Sequence, residues 1–333
     1  MTRPHVSVVT GASAGVGRAL ARELGARGGR VALLARGQAG LDAAAAEIED
    51  YGGEAMVLPT DVADADQVFA AAEAVVTRWG HIDLWINNAM ATIFSRVWDV
   101  SPAEFKRVTE VTYLGQVNGT LAALPHMRAQ NHGTIVQVGS ALAYRSIPLQ
   151  SAYCGAKAAV RGFTDSLRSE LDHDSSAIRL TMVHLPAVNT PQFDWARSLM
   201  GAQPQPVPPI FSPHDVARQI LRAADTGPRE MWIGAPAVES ILGTLAMPAI
   251  MDRMMARKAW DSQMGAPLGQ DARPDNLFTP VDRDMGAEGR FGARTRDGVT
   301  GVAVGTVRIA MAAAGVAGLV GTGYLISQAA RRR

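Results

Sequence analysis

The feature that most constrains this chain is a spacing of glycines near its start. Val6-Ser7-Val8-Val9 is a short β-branched run. It leads into Thr10-Gly11-Ala12-Ser13-Ala14-Gly15-Val16-Gly17, and a helical pattern follows over residues 18–27. Glycine lets a backbone turn tightly and approach a ligand closely. The free N–H groups at a helix N-terminus attract an anion. Strand, glycine-rich turn and helix in this order make a phosphate cradle. The spacing is T-G-x-x-x-G-x-G, so an ordinary glycine-rich loop is the competing reading. The position directly between a strand and a helix favours the cradle.

The alternation then repeats. Strand-like runs fall at 30–35, 55–58, 82–86, 134–138, 178–184 and 230–234. Helical patterns fall between them at 41–51, 66–79, 102–127, 151–171 and 213–224. This is the order of an α/β fold with a doubly wound parallel sheet. Hydrophobic residues, 47% of the chain, supply the core. A formal net charge of +1 lacks the basic excess of a nucleic-acid binder, so no nucleic-acid partner is expected. A single cysteine, Cys154, forms no internal disulfide and suits a reducing, cytoplasmic setting. The N-terminus has no apolar leader, so no secretory signal is expected. The seven histidines are scattered without metal-ligand spacing, and no metal is expected.

In open α/β sheets ligands sit outside the carboxyl ends of the strands. The second strand ends at Ala35-Arg36-Gly37. An acidic residue there would bond the ribose hydroxyls of NAD, whereas an arginine suits the 2′-phosphate of NADP. Arg36 therefore favours NADP(H) over NAD(H). Asp61, after the third strand, either holds an adenine amino group or caps the next helix. Ser140 ends the fifth strand. Tyr153 and Lys157 follow, four residues apart on one helix face. A lysine ammonium beside a tyrosine favours the phenolate, lowers its pKa and so tunes an acid/base. Such a pair alone is common on solvated helices. Cys154 has no local base and reads as a packing residue.

Residues 6 to about 235 resemble the short-chain dehydrogenase/reductase superfamily. The matching pieces are Thr10-Gly11-x-x-x-Gly15-x-Gly17, Asp61-Val62, Asn87-Asn88-Ala89, Ser140 and Tyr153-x-x-x-Lys157, in family order. The resemblance implies a single Rossmann-type domain of about seven parallel strands, with NAD(P) as hydride carrier. It implies Tyr153 as acid/base, Ser140 on the reacting oxygen, and Lys157 on the nicotinamide ribose. It places Gly11, Ser13, Gly15, Val16 and Gly17 along the pyrophosphate and ribose, Asp61 and Val62 at the adenine, and Asn88 at the ribose beyond. Val188 and Thr190 would meet the carboxamide. Homo-oligomers would form through helices 102–127 and 151–171.

Three positions depart from the family pattern. Thr112 stands where the family has an asparagine that helps place a proton-relaying water. Met90 stands for a glycine, and Ala187 for another. Met90, Leu142, Tyr144, Leu149, Phe193 and Trp195 are candidate pocket residues and suit a fairly apolar small molecule. The expected function is an NADP(H)-dependent oxidoreductase interconverting a carbonyl and an alcohol. The alternative is a membrane-tethered NADP(H)-binding scaffold with weak or no catalysis. Thr112 favours the alternative, and the intact Ser140, Tyr153 and Lys157 disfavour it.

The catalytic domain is expected over residues 1–235. Beyond it, 236–260 reads as an amphipathic helical extension interrupted at Pro248. Residues 261–300 read as a polar linker, extended or disordered. Residues 301–333 read as a Gly/Ala-rich tail helix. The runs Arg273-Pro274-Asp275-Asn276-Leu277-Phe278 and Gly289-Arg290-Phe291 resemble those of a bacterial subgroup with C-terminal extensions. No charged residue occurs from 309 to 327, close to the roughly 20 residues that a membrane-spanning helix needs. A membrane anchor and a helix docked on protein both remain open, so the cytoplasmic chain is expected to associate with membrane only if this run inserts.

Overall fold

The first strand, β1 (Val6–Thr10), is buried along its whole length. A strand covered on both faces belongs in the interior of a sheet flanked by helices. The computed structural model describes residues 5–267, 273–307 and 309, and it places β1 in that position. The other strands of the main sheet are β2 (Arg30–Ala35), β3 (Glu54–Pro59), β4 (Leu84–Asn87), β5 (Gly133–Ser140), β6 (Ile178–Leu185), β7 (Glu230–Ile233) and β8 (Gly301–Ala303). Their order across the sheet is β8-β7-β6-β5-β4-β1-β2-β3. The first seven are mutually parallel, as the α/β pattern requires.

Side chains alternate between the faces of a strand. Val9, Val31 and Leu33 pack on one face with Leu20 of α1 (Gly15–Ala26), Ala44 of α2 (Gln38–Asp50) and Ile220 of the helix Pro213–Thr226. Val8, Ala32 and Leu34 pack on the other with Val75 of α3 (Ala65–Trp79) and residues of two longer helices. One of these begins as α4 (Pro102–Thr109), passes through a π turn at Glu110–Leu114, and continues as α5 (Gly115–Gln130). The other is α6 (Ser151–His173). The strand order reverses between β1 and β4, which opens a crevice at their carboxyl ends.

The C-terminal third departs from expectation. The expected helical extension is two helices, Ala235–Ala246 and Pro248–Met254, with Pro248 opening the second. Proline suits a first helical turn because its missing N–H has no partner there anyway. The segment expected as a linker is packed instead. Met264–Pro267 pairs antiparallel with Ala202–Pro204, and Thr295–Arg296 pairs with Ile210–Phe211. Leu277, Phe291 and Val299 are buried. Residues 301–303, expected to start a tail helix, are β8, which runs antiparallel to β7 and extends the sheet beyond residue 235. These apolar residues are too sparse to show a helical or strand period, yet each finds a gap in the core. The uncharged run 309–327 lies outside the described residues apart from Ile309. Among the described residues no helix is long and apolar enough to cross a membrane.

Leu277 ties the extension to the core, being fully buried beside the residues of α3, α5 and α6. Truncating a buried leucine costs about 2–5 kcal/mol. Leu277→Ala should therefore lower the unfolding free energy of the whole domain by an amount in that range, read as a fall in its urea midpoint at unchanged m. An unchanged midpoint would show that the extension folds apart from the domain.

Candidate active site

The carboxyl ends of β1 to β6 border a cavity of about 650 Å³. Its floor begins at the glycine turn. Gly11 has φ +67°, and a Cβ there would lie 2.9 Å from Ala89 Cα. Only glycine holds that conformation without strain. The turn delivers α1, whose N-terminus has neither a side-chain cap nor an acidic residue in its first turn. Such a terminus is suited to a phosphate. Gly11, Ser13, Gly15 and Val16 line the cavity. Gly17 does not, contrary to expectation. A Cβ on it would sit 2.0 Å from Gly11 O and 2.7 Å from Asn88 Nδ2, so its smallness lets α1 close against the turn.

Further along the wall, Asn88 donates its side-chain N–H to Thr10 O at 2.9 Å, joining the loops after β1 and β4. Val62, Asn88, Val188 and Thr190 reach the cavity. Asp61 reaches it too, and it is held in a salt bridge with Arg107 and accepts from Ala63 N. The cap of α3 is Asp64, not Asp61. Arg36 also lines the cavity, but its guanidinium donates to the carbonyls of Phe278 and Asn276 in the extension. Burial lowers its pKa, as does neighbouring Arg107, while Asp61 raises it.

Ser140, Tyr153 and Lys157 come together at the other end. Ser140 ends β5, and its hydroxyl accepts from Leu142 N at 3.1 Å. Lys157 is almost fully buried and donates from Nζ to Val138 O at 2.6 Å. Its Nζ lies 5.7 Å from the centroid of the Tyr153 ring. Burial pushes the lysine down to about 7. Burial also pushes the Tyr153 hydroxyl up, against a smaller pull downward from a hydrogen bond with Ser140. The expectation that the lysine charge lowers the tyrosine pKa is thus not met by the chain alone. Desolvation dominates, and a lysine brought down to about 7 carries little charge in the range where the phenol titrates.

Thr112 sits in the π turn and is fully buried. Its hydroxyl donates to Ala91 O at 2.8 Å and accepts from Ala91 N at 2.9 Å. It pins the loop after β4 and does not itself line the cavity. Sequence reasoning missed Gln116, one turn further on. Its Nε2 donates to Val138 O at 3.0 Å, the carbonyl that Lys157 also uses. Its Oε1 is buried with no hydrogen-bond partner among the described residues. The four-residue spacing from Thr112 was the available signal.

Met90, Leu142, Phe193 and Trp195 line the apolar part of the cavity. Tyr144 and Leu149 do not. The Tyr144 hydroxyl donates to Glu230 at 2.6 Å, and its ring packs edge-on against His184 and Trp232. Burial and that carboxylate push the phenol up to about 12. Burial alone would raise the Glu230 carboxyl, but hydrogen bonds from His184 and Tyr144 bring it down to about 2. His184 Nδ1 in turn lies 3.0 Å from Ser140 O, so this network lies behind the serine. Leu149 is buried, and its carbonyl accepts from Ser95 N.

The extension closes one side. Gly286 O accepts from Gly15 N at 3.0 Å, Asp282 Oδ1 from Ala39 N at 2.9 Å, and Asn189 Oδ1 from Phe291 N at 3.0 Å. Residues 280–283 line the cavity. Nothing in the sequence pattern pointed to this contact, because it is made largely by backbone groups and isolated side chains.

Comparison with known proteins places the chain in a family. Residues 5–198 match the family model described as short chain dehydrogenase. The oxidoreductase YxnA of Bacillus subtilis (strain 168) is 33% identical over 264 residues, 78% of this chain and 74% of that protein. A fatty acyl-CoA reductase of Acinetobacter baylyi is 30% identical over 254 residues, 75% of this chain and 83% of that one. An alcohol dehydrogenase from the archaeon Thermococcus sibiricus, solved with 5-hydroxy-NADP, superposes with a TM-score of 0.59. It is 27% identical and covers 68% of this chain and 95% of its own. The chain belongs to the short-chain dehydrogenase/reductase family, NAD(P)-dependent oxidoreductases that act on CH–OH groups.

Proposed function

We propose that this enzyme interconverts a carbonyl and an alcohol on a fairly apolar small molecule, with Tyr153 as acid/base and NADP(H) preferred to NAD(H). The observation that carries the reading is the meeting of Ser140, Tyr153 and Lys157 at one end of a cavity whose other end is the glycine turn. The bound cofactor supplies or accepts the hydride. In reduction the Tyr153 hydroxyl gives its proton to the substrate oxygen, and in oxidation the phenolate takes it back. Ser140 donates to the same oxygen and fixes the carbonyl toward the hydride. Lys157, held on Val138 O, hydrogen-bonds the nicotinamide ribose and feeds the proton to Tyr153. Gln116 shares the Val138 carbonyl, and its free Oε1 suits a water on the far side of Lys157.

The preference for NADP(H) rests on Arg36 and on the absence of an acid at the end of β2. The apolar substrate rests on Met90, Leu142, Phe193 and Trp195, and a long-chain carbonyl agrees with the name of the Acinetobacter relative. Pairing of subunits through α4, α5 and α6 draws support from the exposed Phe105, Leu114 and Leu121 on or beside those helices.

Tyr153→Phe should lower turnover by a factor of about 10² or more, the usual weight of a positioned acid, with cofactor affinity retained. Turnover close to that of the wild type would overturn the role given to Tyr153. Lys157 offers an independent pH signature. An unfolded lysine titrates at 10.5 and the folded one near 7. Between those values the unfolded chain binds a proton that the folded chain does not, so stability falls as pH drops through the window and levels off below it. Lys157→Met removes that loss. Its stability relative to wild type should be greatest at and below pH 7 and should diminish toward 10.5, followed by urea unfolding at each pH. A difference independent of pH would place Lys157 at its ordinary pKa.

A further inference from the structure

The second strand carries no acidic residue at its end, but the extension delivers one to the same place. Asp282 lies beside Gly37, the residue after Arg36. Its Oδ1 accepts from Ala39 N in the first turn of α2 at 2.9 Å. A Cβ on Gly37 would stand 3.0 Å from that oxygen, so the glycine makes room for the carboxylate. Asp282 and Arg36 both border the cavity, together with Gly37, Gly40 and Arg283. The strap is held in register on either side. Upstream, Arg36 donates to Phe278 O and Asn276 O, and Arg107 to Leu277 O. Downstream, Asp284 lies 3.7 Å from Arg18, and Gly286 O meets Gly15 N.

We propose that Asp282 is a specificity-determining residue that works against the 2′-phosphate of NADP(H) and so sets how far Arg36 can favour it. The inference rests on reading the cavity as an NAD(P) site. A phosphate beside Arg36 would fall next to the first N–H groups of α2, where the Asp282 carboxylate already accepts. If the carboxylate stays, two negative charges stand side by side at the exposed rim of the cavity, and their repulsion is felt at contact distance though salt screens it. If it leaves, its bond to Ala39 N is lost and the strap loosens. Both routes weaken NADP(H), and neither burdens NAD(H), whose ribose hydroxyls can donate to a carboxylate. The positive charges near this corner are Arg36, Arg283 and Arg107, the last neutralised by Asp61. The corner therefore holds two carboxylates, Asp61, which is paired with Arg107, and Asp282, which carries no ion pair of its own there among the described residues and comes from a segment far from β2 in sequence.

The test is Asp282→Asn, which keeps an oxygen for Ala39 N and removes the charge. Dissociation constants for NADPH and NADH would be measured by nucleotide fluorescence on the full chain at fixed ionic strength. Asp284→Asn serves as a second charge removal on the same strap. The expected result is a gain in NADPH affinity of about tenfold in Asp282→Asn, with NADH changed less than twofold, and an NADPH/NADH ratio in Asp284→Asn within twofold of wild type. An unchanged ratio in Asp282→Asn, equal tightening of both nucleotides, or an equal shift in the two variants would overturn the proposal while leaving the oxidoreductase reading in place. Binding of neither nucleotide to wild type or variant would overturn both.

Discussion

The hydrogen bond from Lys157 Nζ to Val138 O fixes the geometry on which the site depends. It joins α6 to β5 at a depth where the lysine is almost fully buried. A buried ammonium is costly unless strong acceptors meet it. One backbone carbonyl meets it here, and burial still brings the lysine down to about 7. Everything nearby follows from that placement. Ser140 lies two residues beyond Val138 on the same strand, and Tyr153 lies one turn before Lys157 on the same helix. Fixing one atom pair therefore sets the relation between the three side chains. Gln116 reinforces the same carbonyl from α5, while Glu230 and His184 support the serine from β7 and β6.

The extension gives the fold its second constraint. It runs from the Arg36 corner past the glycine turn to Asn189, donating carbonyls to Arg36 and Gly15 N. The sheet itself is completed by β8, which lies beyond that strap. The glycine-turn side of the cavity is thus walled partly by residues that follow the domain's last parallel strand. A change in the strap is felt at the glycine turn and at Arg36 together, because residues 276–286 run from one to the other.

Legibility in the sequence followed the range of the interactions. The parallel strands were readable because short apolar runs buried on both faces alternate with amphipathic helices, a local signal. The positions of the glycine turn, Arg36, Ser140, Tyr153 and Lys157 in the fold were readable because each sits at a fixed place on or just after its own strand or helix. Tyr144 was misread as a pocket residue, since its direction depends on Glu230, which lies 86 residues away. Gly17 was read as a ligand residue, yet its small size serves a helix-to-turn contact. The packing of 273–303 left no periodic trace because it relies on single anchors such as Leu277 and Phe291 and on backbone hydrogen bonds. The shift of the Tyr153 pKa was also beyond the sequence, because it depends on how much water the fold excludes.

On the proposed mechanism, a tyrosine held protonated by burial becomes a usable acid/base only when the nucleotide completes the site. A cation beside a phenol favours its ionised form, and the oxidised nicotinamide ring is cationic. The direct measurement is an ultraviolet difference titration of wild type against Tyr153→Phe, with and without NADP⁺. Tyr153 is expected to ionise above the ordinary tyrosine range in the ligand-free chain and well below that point with the nucleotide bound. Ionisation at the same pH in both states would contradict it.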